Sequence, residues 1–132
     1  MELFFDGGAK PNPGAGGAGA LLIGPDGETV WEGSLFVGAR VTNNEAEYRG
    51  LLVGLQRAHD LGLSRVVVKG DSQLVIRQMQ GKYKVKAHNL QPLYKEACTL
   101  AKSFASISYE HVPRALNARA DTLATAGIAL GE

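Results

Sequence analysis

Val41-Thr42-Asn43-Asn44-Glu45-Ala46-Glu47-Tyr48 is the stretch on which the reading of this chain turns. Thr42, Asn43 and Asn44 carry side-chain oxygens that accept the orphan amide hydrogens of a first helical turn, so a helix is expected to begin here. Glu45 and Glu47 then fall in that turn, where the helix dipole favours carboxylates. Capping alone would account for all of them. Three distant aspartates point further. Asp6 ends the apolar run Leu3-Phe4-Phe5, Asp71 follows Val66-Val67-Val68, and Asp121 lies just inside the last helical stretch. Acids at strand ends and helix starts suggest one shared site.

On the N-terminal side of this stretch, residues 2–6 read as a short strand. Gly7-Gly8-Ala9-Lys10-Pro11-Asn12-Pro13-Gly14 then reads as a tight turn, built from residues that tolerate unusual backbone angles. Residues 18–23 form a second strand, Gly24-Pro25-Asp26-Gly27 is a hairpin signal, and Thr29 to Val37 returns as a third strand. Short turns between sequential strands imply an antiparallel meander. On the C-terminal side, a helix is predicted from about Asn44 to Leu61, with Tyr48, Leu51, Leu52, Leu55 and Ala58 on one face and Gly62 as its stop. Val66-Val67-Val68 is a short, continuous apolar strand of the kind covered on both faces. Asp71-Ser72 opens a second helix that Gly81 closes, and Asn89 to Ser103 forms a third with Pro92 in its first turn. Ile107 to Val112 is a fifth strand ended by Pro113, and Leu116 to Leu130 is a terminal helix. The expected fold is α/β, in the order βββαβααβα, with a mixed five-stranded sheet flanked by helices.

Bulk properties narrow the function classes. One domain, 1–132, is expected, with a hydrophobic fraction of 45% and a charged fraction of 20%, those of an ordinary globule. No apolar run approaches a membrane span, and no basic region leads into an apolar stretch at the N-terminus. The single cysteine, Cys98, excludes an internal disulfide and a cysteine-based zinc cluster, and its helical spacing among apolar neighbours places it in the core. A cytoplasmic monomer is expected. The net charge of +1 argues neither for nor against a polyanionic partner. Lys82, Lys84 and Lys86 alternate with Tyr83 and Val85, and Arg114 and Arg119 cluster near Asp121; these read as a solvated face or as phosphate contacts. Gly14-Ala15-Gly16-Gly17-Ala18-Gly19 matches the G-x-G-x-x-G dinucleotide fingerprint, which works only where a strand leads straight into a helix. Here a strand and a hairpin follow, so a dinucleotide site is rejected.

Strand ends and adjacent helix starts converge on one edge of such sheets. Asp6, Glu47, Asp71 and Asp121 can therefore meet as four carboxylates, a repulsive cluster if uncompensated. Hard divalent cations remove the repulsion, and Mg²⁺ suits a few carboxylates with retained waters and substrate phosphates. Two such ions ~4 Å apart activate water and stabilise a leaving oxygen in phosphodiester cleavage.

The chain resembles type 1 ribonuclease H over essentially its whole length. The matching stretches are the Phe-Asp-Gly-Gly opening with Asn-Pro-Gly, the Thr-Asn-Asn-Glu-Ala-Glu-Tyr helix start, Gly-Asp-Ser-Gln, and the terminal Asn-x-x-x-Asp-x-Leu-Ala. The resemblance implies the ribonuclease H-like fold and an endonuclease that cleaves the RNA strand of RNA–DNA hybrids. It implies 5′-phosphate and 3′-hydroxyl ends and two Mg²⁺ ions, with Mn²⁺ as substitute. By the same resemblance Asp6, Glu47, Asp71 and Asp121 are the catalytic and metal-binding acids, while Glu45 is an exposed first-turn residue. Asn12, Asn43, Asn44 and Gln73 look like amides that contact the minor groove of the hybrid, Gly7 and Gly8 like part of a backbone contact to ribose 2′-hydroxyls, and Thr42 like a DNA-phosphate contact.

Two departures from the family pattern matter. The basic helix and loop of the bacterial prototype are replaced here by Gly81 to Lys86, which makes this a compact form with an expectation of weaker hybrid affinity; Ala87 stands where the family often has Asn. His111 lies ten residues ahead of Asp121, as the catalytic histidine of the bacterial form does, but falls within the predicted strand. Arg114 is therefore expected to take the loop role in turnover, and His59 and His88 are ordinary surface residues. The alternatives are cleavage of double-stranded RNA, and a nucleic-acid-binding or nuclease domain of a larger fusion protein. Integrases and transposases share the fold but match fewer motifs.

Overall fold

In the computed structural model, which describes residues 1–131, β1 (Glu2–Lys10), β2 (Gly14–Ile23) and β3 (Thr29–Val41) form the expected meander. β4 (Arg65–Gly70) adds in parallel to β1, and β5 (Ser106–His111) in parallel to β4, giving the spatial order β3-β2-β1-β4-β5. The helices are α1 (Asn43–Asp60), α2 (Gln73–Met79), α3 (Gln91–Ala101) and α4 (Ala118–Ala129), and a 3-10 turn spans Arg114–Asn117. No helix among the described residues is long and apolar enough to cross a membrane. The mixed five-stranded sheet and the element order are as expected.

Several boundaries differ from the sequence reading, and the differences bear on the site. Gly7 to Lys10 continues β1 instead of turning, because β2 keeps pairing with it as far as Lys10 opposite Ala15. The turn shrinks to Pro11, Asn12 and Pro13, and Gly14 to Gly17 belong to β2. Glycine composition mimicked a turn here. Asp6 is consequently a mid-strand residue, not a strand end. Its parallel neighbour β4 pairs with β1 only over Glu2 to Phe4, so Asp6 stands just past the end of that ladder, where the sheet opens. In α3 the first helical residue is Gln91, with Pro92 in the first turn as predicted. The segment before α4 tightens into a 3-10 turn, so the α-helix starts at Ala118 rather than Leu116.

The core lies between the sheet and α1. Tyr48, Leu51, Leu52, Leu55 and Ala58 are buried against Leu3, Phe5, Ala20, Leu22, Val66 and Val68, as the helical spacing predicted. Leu90, which caps α3, and Leu93 and Ala97 on its apolar face close this layer. Cys98, expected in the core, is half-buried at its margin. The Tyr48 hydroxyl, fully buried, donates to Gln78 Oε1 at 2.6 Å and so ties α1 to α2.

The two faces of β2 are used differently. Ala18, Ala20 and Leu22 face α1, while Gly17 and Gly19 face α4 with no side chain at all. A methyl group at Gly17 would lie 2.3 Å from the Ala124 carbonyl oxygen, and one at Gly19 2.5 Å from Leu123 Cβ. α4 thus rests directly on the strand. The glycines that match the rejected dinucleotide fingerprint are strand residues, two of which form a helix-packing surface.

Candidate active site

α1 begins as its sequence dictates. The Thr42 hydroxyl accepts the Glu45 amide at 3.2 Å, and Glu45 Oε1 accepts the Thr42 amide at 3.1 Å, which completes a capping box. Glu45 is therefore half-buried and occupied, a correction to its expected exposure. Thr42, expected to meet a phosphate, also donates its hydroxyl to Glu45 Oε1 at 3.1 Å. Asn12 Oδ1 accepts the Asn43 backbone amide at 3.0 Å, and Asn43 Oδ1 accepts the Ala9 amide at 2.8 Å. The β1–β2 turn and the start of α1 are stapled together.

One helical turn on, Glu47 reaches β1. Gly7 allows this: a methyl there would sit 2.2 Å from the Ala46 carbonyl carbon and 2.4 Å from the Glu47 nitrogen. With only hydrogen on that side, the first turn of α1 lies on the strand backbone, and the Gly7 amide donates to Glu47 Oε1. Asp6 projects from the opposite face, since its cross-strand partner Gly19 faces α4. Asp71 follows the end of β4. Asp6, Glu47 and Asp71 bring carboxylate oxygens within 4.8 Å of one another. Asp121, in the first turn of α4, lines the same cleft beside Asp6 but outside that triad.

The cleft, of about 670 Å³, is walled by these four acids and by Gly7, Gly8, Asn43, Asn44, Ser72, His111 and Arg114 among others. Burial chiefly pushes the Asp6 carboxyl up from its ordinary 3.8 to about 6, and the charge of Asp71 and a hydrogen bond with Asp121 add to the rise. Glu47, more deeply buried, is held well above the usual carboxylate range by burial first and by Asp6 second. The ion pairs found among the described residues, Lys69–Glu2 and Arg119–Glu32, involve none of these acids. An all-oxygen donor set drawn from three elements and left without a protein cation fits a hard divalent metal. An acidic cluster able to hold one is present.

This charge imbalance has a measurable consequence. A buried carboxyl whose folded pKa is raised costs the native state nothing below about pH 4, and its full penalty above about pH 6. For Asp6 the rise corresponds to about 3 kcal/mol. In EDTA, the melting temperature is expected to fall by several degrees between pH 5 and pH 7.5, and Mg²⁺ is expected to reverse most of that fall. A scanning-calorimetry series with and without Mg²⁺ checks this; a metal-free stability that rises steadily with pH over that interval contradicts it.

Comparison with known proteins agrees with the geometry. The reverse transcriptase-like family matches residues 4–127. A bifunctional protein of Mycobacterium tuberculosis is 49% identical over 119 residues, covering 90% of this chain and 33% of that protein. The solved N-terminal ribonuclease H domain of that protein superposes with a TM-score of 0.92 at 43% identity, covering 98% of this chain and 95% of that one. Ribonuclease H1 of Halobacterium salinarum superposes with a TM-score of 0.92 at 38% identity, covering 96% of each chain.

The chain belongs to the type 1 ribonuclease H family.

It spans about a third of the length of the mycobacterial relative. A further ribonuclease H1, LC11, solved in complex with an RNA/DNA hybrid, gives a TM-score of 0.92 at 34% identity and covers 98% of this chain and 97% of that one. Within the ribonuclease H frame, the sequence-derived residues divide cleanly. Asp6, Glu47, Asp71, Asp121, Gly7, Gly8, Asn43, Asn44 and Arg114 all border the cleft. Asn12 and Thr42 border a neighbouring pocket, of about 450 Å³, together with Asn43, Asn44, Ala87 and Asn89. Gln73 is exposed on the first turn of α2, outside the cleft wall. Arg119 pairs with Glu32 at 3.1 Å rather than serving a phosphate site.

Asn89 and Asn117 were given no role by the sequence, and His111 was set aside in favour of Arg114. Asn89 lines the neighbouring pocket, and only its position just before a helix hinted at it. His111 ends β5 with Nε2 3.3 Å from the Asp71 carbonyl oxygen, so it borders the cleft even though it belongs to a strand. Asn117 is buried one turn ahead of Asp121. The Asn-x-x-x-Asp spacing carried that signal, since residues four apart share a helix face.

Proposed function

We propose that this chain is an endoribonuclease that hydrolyses the RNA strand of RNA–DNA hybrids, leaving 5′-phosphate and 3′-hydroxyl ends, with two Mg²⁺ ions and Mn²⁺ as a substitute. The observation that carries this reading is the uncompensated triad of Asp6, Glu47 and Asp71 in a cleft bordered by the amides of α1. The hybrid bound to the related LC11 enzyme supports the choice of substrate. Asp6, Glu47, Asp71 and Asp121 would hold the cations. When bound, divalent cations supply an activated water and stabilise charge on the leaving oxygen.

The remaining work falls to this chain's own groups. The Gly7 amide fixes the Glu47 carboxylate and frees its second oxygen. Because Asn43 spends Oδ1 on Ala9, its amide nitrogen is left as a donor, and the purine N3 and pyrimidine O2 of a minor groove are acceptors. Asn44, Asn12 and Gln73 complete the amide row, and backbone groups at Gly7 and Gly8 serve ribose 2′-hydroxyls. Thr42 meets a DNA phosphate only by releasing Glu45, so its contribution is expected to be small. Arg114, exposed at the cleft rim, would draw the cleaved 5′-phosphate away. Arg114→Ala is expected to lower kcat ~10-fold with hybrid affinity largely kept; unchanged single-turnover and steady-state rates would remove the residue from the mechanism. A cytoplasmic monomer completes the reading.

The deciding experiment is Mg²⁺-dependent cleavage of matched RNA–DNA, RNA–RNA and DNA–DNA duplexes, with EDTA and Asp71→Asn controls. Cutting confined to the RNA of the hybrid is the expected result. Cutting of RNA–RNA as well would mean that the amide row tolerates two ribose strands. Because the matched region is about a third of the bifunctional mycobacterial protein, a nuclease domain within a longer chain is the second reading. Tight binding without cleavage would favour it.

A further inference from the structure

Asn117 is 1% exposed, and its amide nitrogen donates to the Phe5 carbonyl oxygen at 2.9 Å, bridging positions 112 residues apart. Its Oδ1 is buried with no partner among the described residues. Nor does the side chain cap α4, whose first residue follows it. An orphaned acceptor costs about 1–3 kcal/mol, so packing alone does not call for asparagine here; a leucine of similar volume would fill the site without that cost. What asparagine adds is the single bond to β1.

The placement of that bond is specific. Phe5 immediately precedes Asp6 and lies just past Phe4, the last residue of β1 paired with β4. Asn117 precedes Asp121 by four residues, one helical turn. We infer that Asn117 is a positioning residue whose amide, tethered to the Phe5 carbonyl, sets the separation of Asp121 from Asp6 and so completes the metal-binding cleft. The inference rests on the metal-dependent reading above. α4 lies directly on Gly17 and Gly19 of β2, so along that stretch the strand offers it no side chain to lock against. The tether supplies the missing stop at the end of the helix that carries the acid.

The test is Asn117→Leu, alone and in an Asp121→Ala background, with Mg²⁺ affinity measured by calorimetric titration and by the Mg²⁺-induced rise in melting temperature. The expected result is a folded variant with the parent's metal-free melting temperature to within a few degrees. Its Mg²⁺ dissociation constant and its kcat should each be worse by about 10-fold, the scale set by losing a group that orients a ligand. In the Asp121→Ala background the substitution should cost nothing further, since its effect runs through Asp121. Parent-like Mg²⁺ affinity and cleavage in Asn117→Leu would overturn the inference. So would an equal loss with and without Asp121, and so would failure of Asn117→Leu to fold, which would make the amide a fold determinant. A parent protein that neither binds Mg²⁺ nor cleaves any duplex would instead remove the metal-dependent reading itself.

Discussion

Asp6→Asn is expected to reduce Mg²⁺-dependent cleavage by at least ~10³-fold while raising the melting temperature of the metal-free protein. The loss of activity follows from the donor set. Asp6 is the acid that faces Glu47, Asp71 and Asp121 together, so removing its charge weakens every shared position. A penalty of about 4 kcal/mol at the transition state is a factor of ~10³. The gain in stability follows from the same cluster without metal. The carboxyl is 8% exposed with its pKa pushed up to about 6, so at neutral pH the fold carries an unfavourable anion. An amide of equal size removes that term and lightens the burden on Glu47, for a gain of ~1–3 kcal/mol. Thermal melts in EDTA and turnover on a labelled hybrid read the two effects separately. Loss of activity with lowered metal-free stability would mean that Asp6 holds the fold, and near-normal turnover would remove it from the chemistry.

Gly7→Ala should be the most damaging single methyl group in the chain's catalytic half. The added carbon would overlap main-chain atoms of α1 at 2.2 Å, and backbone cannot swing aside as a side chain does. The first turn of α1 must lift away from β1, at an expected cost of about 3 kcal/mol or more. For a chain of this length that is a drop of roughly 10–15 °C in melting temperature. Activity should fall further than stability explains. Glu47 travels with that turn, and a displacement of about 1 Å is worth ~10² in rate. Turnover measured well below the melting temperature isolates the second effect. Gly8→Ala is the control for stability: a methyl there meets nothing nearer than Asn43 Oδ1 at 3.8 Å, and the melting temperature should stay near the parent's. Equal melting temperatures for the two variants would refute the close-approach argument.

The element order and the start of α1 were legible because their signals are local. The Thr42 capping box and the apolar face from Tyr48 to Ala58 can each be read within one or two turns of chain. Gly7 to Gly17 was not legible in the same way. Its composition is that of a turn, and only tertiary pairing with β2 and the pressure of two helices make it strand. The four acids were visible because each closes an apolar run or falls near a helix start, and the family resemblance singled out Glu47 over Glu45. The sequence did not reveal that Asp6 and Glu47 arrive from opposite faces of the sheet. That depends on Gly7 having no side chain, a property of a contact rather than of a motif. Asn117 was quoted as part of a motif and passed over, because a buried bond across 112 positions leaves no periodic trace.

The glycines of β2 have a consequence for how such a site can change over time. The acids of α1 and α4 are borne on helices lying against opposite faces of one strand, and that strand supplies no ligand. Its thickness is nonetheless a spacer between them. A single methyl at Gly17 or Gly19 would pry α4 outward and widen the gap that Asp121 must span, with every carboxylate still in place. The width of the cleft is thus tuned by residues that never touch its contents.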